Sequence, residues 1–329
     1  MRIFVIGSTG FIGRNIVERL LKRHEIISVV RESSLSKRDD VIKKFTQLGV
    51  SIEKIDVLGL EKLMELFNKY SPDVIINATG LLKGSWSSLK EVHADLPERL
   101  IEAMGRSGLT NSIFIHISST GASPSSSDPV VEEKDHCAHI NSLRSDYERS
   151  KCLGEIRVRE KASSYGINYV ILRPSIVVGE YNEHREWITL LNLSRRGVKI
   201  DINFIFNIID IEDLVSIIEK VIWRRDLYNN YYHVASPKPI SIREVTDTLF
   251  ELLKKKPLVR IGDSFLGLLK ILKYFILNDV DRSFVEMLIK KRYIVSIDKL
   301  RSKLYHVFRE PEETFRRYFT WLISRQLSE

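Results

Sequence analysis

The seven residues Gly7-Ser8-Thr9-Gly10-Phe11-Ile12-Gly13 constrain the fold of this chain more than any other segment. They follow a short apolar run, Arg2 to Ile6, and precede Ile12, Ile16, Leu20 and Leu21 at helical spacing. The run reads as a buried strand and the spacing as an amphipathic helix. A strand that passes into a helix through three glycines suits close helix–strand packing, because glycine permits positive φ and lets a backbone approach a pyrophosphate. The phosphate would sit where the helix dipole and the unpaired first-turn N–H groups point. Gly7, Thr9, Gly10, Phe11, Ile12 and Gly13 are therefore assigned to a dinucleotide site.

The same alternation continues. Ile26 to Val30 reads as strand two, Val50 to Ile55 as strand three, Asp73 to Ile76 as strand four and Ile113 to Ile117 as strand five. Helical patterns separate them, including one with Leu60, Leu63, Met64 and Phe67 and one from about Leu89 to Arg106. Such an order predicts a doubly wound parallel sheet of the Rossmann type, with helices on both faces. Ser118 to Asp146 is polar and irregular, the form of a lid or an insertion. A helix over Tyr147 to Ser164 and strands at Tyr169 to Leu172 and Tyr231 to Val234 extend the sheet. Residues 1–174 are assigned to the dinucleotide-binding domain, with a return segment at 201–236. Residues 175–200 and 237–329 are assigned to a smaller, mostly helical substrate lobe. Within these later segments, a helix is expected near Trp187 to Ser194, another starting at Asp213 as N-cap, and a helical region after Ser241.

The walls of the cofactor pocket follow from strand ends. An acid after strand two favours the ribose hydroxyls of NAD, whereas a cation pairs with the 2′-phosphate of NADP. Arg31 stands there, with Lys37 and Arg38 nearby and Glu32 as the competing acid, so NADP is preferred and NAD kept as the alternative. Asp56 and Val57 follow strand three, at the adenine position. Asn77-Ala78-Thr79-Gly80 follows strand four, with small side chains and a backbone that can approach the cofactor ribose.

Tyrosine has an ordinary pKa of about 10 and is a poor acid or base near neutrality. A lysine ammonium one helical turn away shares its face and can favour the phenolate. Tyr147 and Lys151 have that spacing, and Lys151 could also hold the nicotinamide ribose hydroxyls. A hydroxyl from Ser118 or Ser119, at the end of strand five, would complete the site.

These segments resemble the extended short-chain dehydrogenases/reductases of the NAD(P)-dependent epimerase/dehydratase family. The resemblance rests on Gly7 to Gly13, Asn77 to Gly80, Ile117-Ser118-Ser119-Thr120, Tyr147 to Lys151 with Gly154-Glu155, and Leu172-Arg173-Pro174 through Gly179. Ile211-Glu212-Asp213-Leu214-Val215 and Ser296-Ile297-Asp298-Lys299-Leu300 are similar to later family landmarks. It implies Ser119 as the catalytic hydroxyl, Tyr147 as general acid/base, Lys151 as its ribose-binding partner, and Pro174 against the nicotinamide. The implied reaction is hydride transfer on a nucleotide-activated sugar, by reduction or epimerisation. Thr120 and Gly121 stand where a dehydratase would want an acid, which disfavours dehydration. Two positions depart from the pattern: His93 replaces an asparagine, and Gly121-Ala122-Ser123-Pro124 replaces a Val-Tyr-Gly segment.

The rival reading is a dinucleotide-holding scaffold or sensor that resembles an accessory subunit of respiratory complex I. The presence of both Tyr147 and Lys151 favours the enzyme, since holding a dinucleotide needs no proton-transfer tyrosine. With 51 Lys and Arg against 43 Asp and Glu, the formal charge is +8. Lys83, Arg185 and Lys199 are candidates for substrate phosphates, and no basic stripe interleaved with aromatics points to nucleic acid. The apolar stretch Phe265 to Leu277 carries Lys270 and Lys273 and is too short to span a bilayer, which leaves a peripheral membrane contact as one role. The two cysteines, Cys137 and Cys152, suggest neither a zinc site nor a disulfide framework, so a reducing, cytoplasmic setting is expected. No metal is called for, and a homodimer is compatible with the reading.

Overall fold

The computed structural model describes residues 1–32, 38–55, 59–122, 130–131, 137, 140, 145–265 and 292–328. The chain opens with β1 (Arg2–Ile6), α1 (Phe11–Leu20), β2 (Glu25–Arg31), α2 (Asp39–Gln47), β3 (Ser51–Ile55) and α3 (Leu60–Tyr70). It continues with β4 (Val74–Asn77), α4 (Trp86–Lys90), α5 (Leu96–Arg106) and β5 (Ile113–Ile117). A π-helical turn, Glu91–Asp95, carries α4 into α5. After the short β6 (Val130–Val131) come α6 (Asp146–Tyr165) and β7 (Asn168–Pro174).

The main sheet has seven parallel strands in the order β12-β7-β5-β4-β1-β2-β3, where β12 is Asn230–Val234. The winding runs outward from β1 through β2 to β3, then restarts at β4 on the other side. That reversal opens a crevice at the carboxyl ends of β1 and β4, where sheets of this kind place their ligands.

Period-2 alternation sends the two halves of each strand to different helical layers. Ile3 and Val5 of β1 pack with Ile16, Val17 and Leu20 of α1 and with Leu214, Ile218 and Val221 of α8 (Ile211–Ile222). Phe4 and Ile6 pack on the opposite face with Leu63, Leu66 and Phe67 of α3, Leu100 and Met104 of α5, and Val158 of α6. Both faces are buried, which explains why these strands read as unbroken apolar runs.

The later chain supplies β8 (Ile176–Val178), α7 (Arg185–Arg195), β9 (Val198–Asp201), β10 (Ile205–Phe206) and β11 (Ile208–Asp210). After α8 and β12 come β13 (Ile240–Ser241), α9 (Ile242–Leu253), β14 (Val259–Gly262), β15 (Arg292–Val295), α10 (Asp298–Arg301) and α11 (Pro311–Ser328). Trp187, Leu190, Phe204, Phe206, Leu249, Phe315, Tyr318 and Phe319 form a second core from these elements. Short strand pairs accompany the helices there, β9 with β14 and β10 with β13 and β15.

The expected Asp213 N-cap is corrected. Asp210 caps α8 by accepting from the Glu212 N–H at 2.7 Å. Asp213 lies inside the helix, where it accepts from the Arg309 N–H at 2.8 Å and faces His306 Nε2 at 3.1 Å. The cysteines are also corrected, because they are bonded to each other. Burial of Cys152 beneath Ala122, in a small cluster with Cys137, brings the two Cα atoms to 5.2 Å. The argument from free thiols to a reducing compartment therefore falls. Asp56, Val57, Lys37, Ser123, Pro124 and residues 266–277 lie outside the described residues.

Candidate active site

The glycine turn has the close packing its sequence implies. Gly7 has φ +80°, and a Cβ there would sit 2.8 Å from the backbone of Ala78 and Thr79. A Cβ on Gly13 would lie 2.1 Å from the Gly7 carbonyl oxygen. These contacts seat α1 against β1 and bring the turn onto the Ala78–Thr79 backbone after β4. Gly10 is the N-cap of α1, with no capping side chain and no acid in the first turn. The helix thus begins with N–H groups at Phe11, Ile12 and Gly13 that have no intrahelical acceptor, a donor set that fits a pyrophosphate.

On the far side of the crevice, Asn77 is fully buried and stiffens the segment that follows β4. Its Oδ1 accepts from the Thr79 N–H at 3.2 Å and from Thr79 Oγ1 at 2.6 Å. Its Nδ2 lies 3.2 Å from Nδ1 of the buried His116. Gly80 is exposed beyond this turn. Arg31 is exposed at the end of β2, as a contact with a 2′-phosphate requires. Pro174 ends β7, and its carbonyl oxygen lies 3.4 Å from Thr120 Oγ1.

Ser118 and Ser119 leave the carboxyl end of β5 in different directions. Ser118 is buried and donates to the Glu155 carboxylate. Ser119 Oγ accepts from the Gly121 N–H at 3.0 Å, and Ser119 Oγ and the Tyr147 ring both flank Gly121, 3.3 and 3.1 Å from where a Cβ on it would lie. Tyr147 sits in the first turn of α6, which a reciprocal Ser145–Glu148 capping box starts. Burial pushes the Tyr147 phenol above its ordinary pKa, and the neighbouring Ser119 hydroxyl pulls it back in part.

One turn on, Lys151 is buried. Its Nζ donates to the Ile117 carbonyl at 3.3 Å and lies 3.8 Å from where a Cβ on Gly80 would be. Burial lowers its pKa to about 8, opposed by Glu155. The structure therefore brings Ser119, Tyr147, Lys151 and Gly80 together at the crevice.

His93 joins this group, and its partners were not readable from its place in the sequence. Its ring meets the Tyr147 ring edge-on, with centroids 5.5 Å apart and planes at 90°. Of the cations named for substrate phosphates, Lys83 and Arg185 are exposed, whereas Lys199 is buried in an ion pair with Asp247. Tyr293 of β15 also reaches the site, donating to Thr120 Oγ1 at 2.7 Å, and burial lifts its pKa to about 12. Its signal was absent from any motif, since it comes from the far end of the chain.

Comparison with known proteins places this geometry among relatives. A phenylcoumaran benzylic ether reductase of Betula pendula is 36% identical over 85 residues, 25% of this chain. The chain spans about a quarter, 27%, of the length of that curated relative. Among solved structures, the Bordetella bronchiseptica enzyme WbmG in complex with NAD and UDP superimposes with a TM-score of 0.75 at 17% identity, covering 99% of this chain and 96% of that one. A dTDP-glucose 4,6-dehydratase of Bacillus anthracis in complex with NAD gives 0.76 at 16% identity, covering 99% and 98%. At such identities these structures establish the fold. The sequence model of the NAD dependent epimerase/dehydratase family matches residues 3–229, and the chain belongs to that family.

Proposed function

We propose that this protein is an NADP-dependent oxidoreductase that reduces or epimerises a nucleotide-activated sugar, with NAD as the alternative cofactor. The observation that carries the proposal is the convergence of Tyr147 and Ser119 on Gly121 at the carboxyl end of β5, with the Lys151 ammonium buried one turn behind Tyr147. A bound nicotinamide supplies or accepts hydride at its C4. Tyr147 Oη delivers a proton to the nascent alkoxide during reduction and removes it during oxidation. The Gly121 N–H fixes Ser119 Oγ as an acceptor, so the serine keeps its one O–H to donate to the substrate oxygen. Lys151 keeps two of its three N–H bonds for the nicotinamide ribose and the phenolate, since one goes to the Ile117 carbonyl.

Arg31 supports NADP through its exposure at the end of β2. Nucleotide-sugar chemistry is supported by WbmG, whose structure contains NAD and UDP, and by the dTDP-glucose dehydratase. Reduction is favoured over dehydration because Thr120 and Gly121 offer no acid beside Ser119.

The experiment is isotope transfer. NADPH deuterated at C4 is incubated with uridine- and thymidine-diphosphate 4-keto-sugars, and the product carbinol is read by mass spectrometry. Deuterium in the carbinol is the expected result. Tight NADPH binding with no transfer to any substrate of this class contradicts the proposal and favours a scaffold.

A further inference from the structure

The two ring nitrogens of His93 have different and fully determined jobs. Nε2 lies 3.0 Å from the Leu81 N–H, which can only donate, so Nε2 is the acceptor. A neutral imidazole then carries its proton on Nδ1. Nδ1 is 2.8 Å from Ser150 Oγ, and Ser150 Oγ donates onward to the Tyr147 carbonyl at 2.9 Å. One continuous chain therefore runs from the loop after β4, through His93, into the first turn of α6.

The backbone is built to hold this ring. His93 lies in the π-turn 91–95, and its carbonyl is packed against α6 at Gly154. A Cβ on Gly154 would sit 1.9 Å from that carbonyl oxygen, so only glycine lets α6 approach this closely. His93 and Ser150 are both wholly buried.

We infer that His93 is a positioning residue: a neutral, Nδ1-protonated clamp that ties the Gly80–Leu81 backbone to the start of α6 and orients Tyr147, and that carries no proton in turnover. The role of Tyr147 in this statement rests on the proposed function; the clamp itself does not. The titratable groups facing the ring are Tyr147 and Lys151 of α6 and His116 of β5. None of them is an anion. Burial and the Lys151 charge hold His93 down to about 3, which keeps the imidazole neutral wherever the enzyme works.

The test combines spectroscopy with a split between binding and turnover. In long-range proton–nitrogen spectra of the nitrogen-labelled full chain, the His93 signal is expected to show the Nδ1–H tautomer unchanged between about pH 6 and 9. His93→Phe keeps the ring but removes both bonds. It should weaken NADPH binding and lower kcat by about tenfold or more each, the scale of a small misplacement of reacting groups. His93→Asn can still donate to Ser150 but cannot reach Leu81. It should recover kcat towards wild type while NADPH binding stays weak. Ser150→Ala combined with His93→Phe should cost kcat no more than His93→Phe alone, since both break one chain. A His93 signal that titrates in that range, or His93→Phe with unaltered NADPH affinity and kcat, overturns the inference. If His93→Phe does not fold, the spectrum and His93→Asn decide. A wild-type chain without turnover would count against the proposed reaction, while the tautomer and affinity measurements would still judge the clamp.

Discussion

Glu155 grips Arg173 from inside the protein. Arg173 Nε donates to Glu155 Oε1 at 3.0 Å and Nη2 donates to Oε2 at 2.5 Å, with the two side chains 0% and 1% exposed. Ser118 donates to the same carboxylate, and the Arg173 guanidinium stacks 4.1 Å over the Tyr231 ring. The pair joins α6 to β7, just beneath Lys151 and Pro174.

Removing one member leaves the other charge buried, which costs about 3–5 kcal/mol. Glu155→Ala should therefore lower stability by about that much in urea denaturation. Glu155→Leu with Arg173→Met, which removes both charges, should return most of it. Loss of less than about 1 kcal/mol in Glu155→Ala would show that the pair is not isolated from water.

Lys151 predicts an alkaline limb. Its folded pKa, about 8, lies below its ordinary value. Below that pH the lysine is protonated whether folded or unfolded, and the burial penalty is fully present. As pH rises from about 8 to about 10.4, the unfolded chain binds more protons and the penalty is relieved, so this group's contribution to stability rises with pH. Activity should move the other way. The ammonium is lost as pH passes about 8, so kcat/KM should fall there. Lys151→Arg keeps a cation at all these pH values and should remove the limb. A limb unchanged in Lys151→Arg would assign it to another group.

Arg31 tests the cofactor. A charge-assisted contact with a 2′-phosphate contributes about 1.5–3 kcal/mol. Arg31→Ala should therefore weaken NADPH binding by roughly tenfold to a hundredfold while leaving NADH near wild type. Isothermal titration with both dinucleotides reads this directly. Equal losses for NADH and NADPH would remove the assigned role.

Local patterns were legible in the sequence, and long-range partnerships were not. β1, the glycine turn and α1 could be read because period, glycine spacing and strand burial all act within about 20 residues. The N-cap of α8 was read three residues late. Asp210 and Asp213 are both good caps, and what turns Asp213 inward is the Arg309 backbone, far along the chain. The Cys137–Cys152 bond gave no local signal because folding of α6 beneath Ala122 creates it. His93 could be flagged as a departure from the family pattern, but its role depends on Leu81 and Ser150, which only the packed helix brings to its two nitrogens.

The central claim is that Tyr147 moves the proton, and Tyr147→Phe tests it most directly. The variant should bind NADPH as the wild type does, because Tyr147 lies beside Ser119 and Gly121 and makes no part of the glycine turn. Its kcat on a nucleotide keto-sugar should fall by about 10²–10⁴-fold, the contribution of a positioned general acid. An unchanged kcat with NADPH still bound would contradict the account.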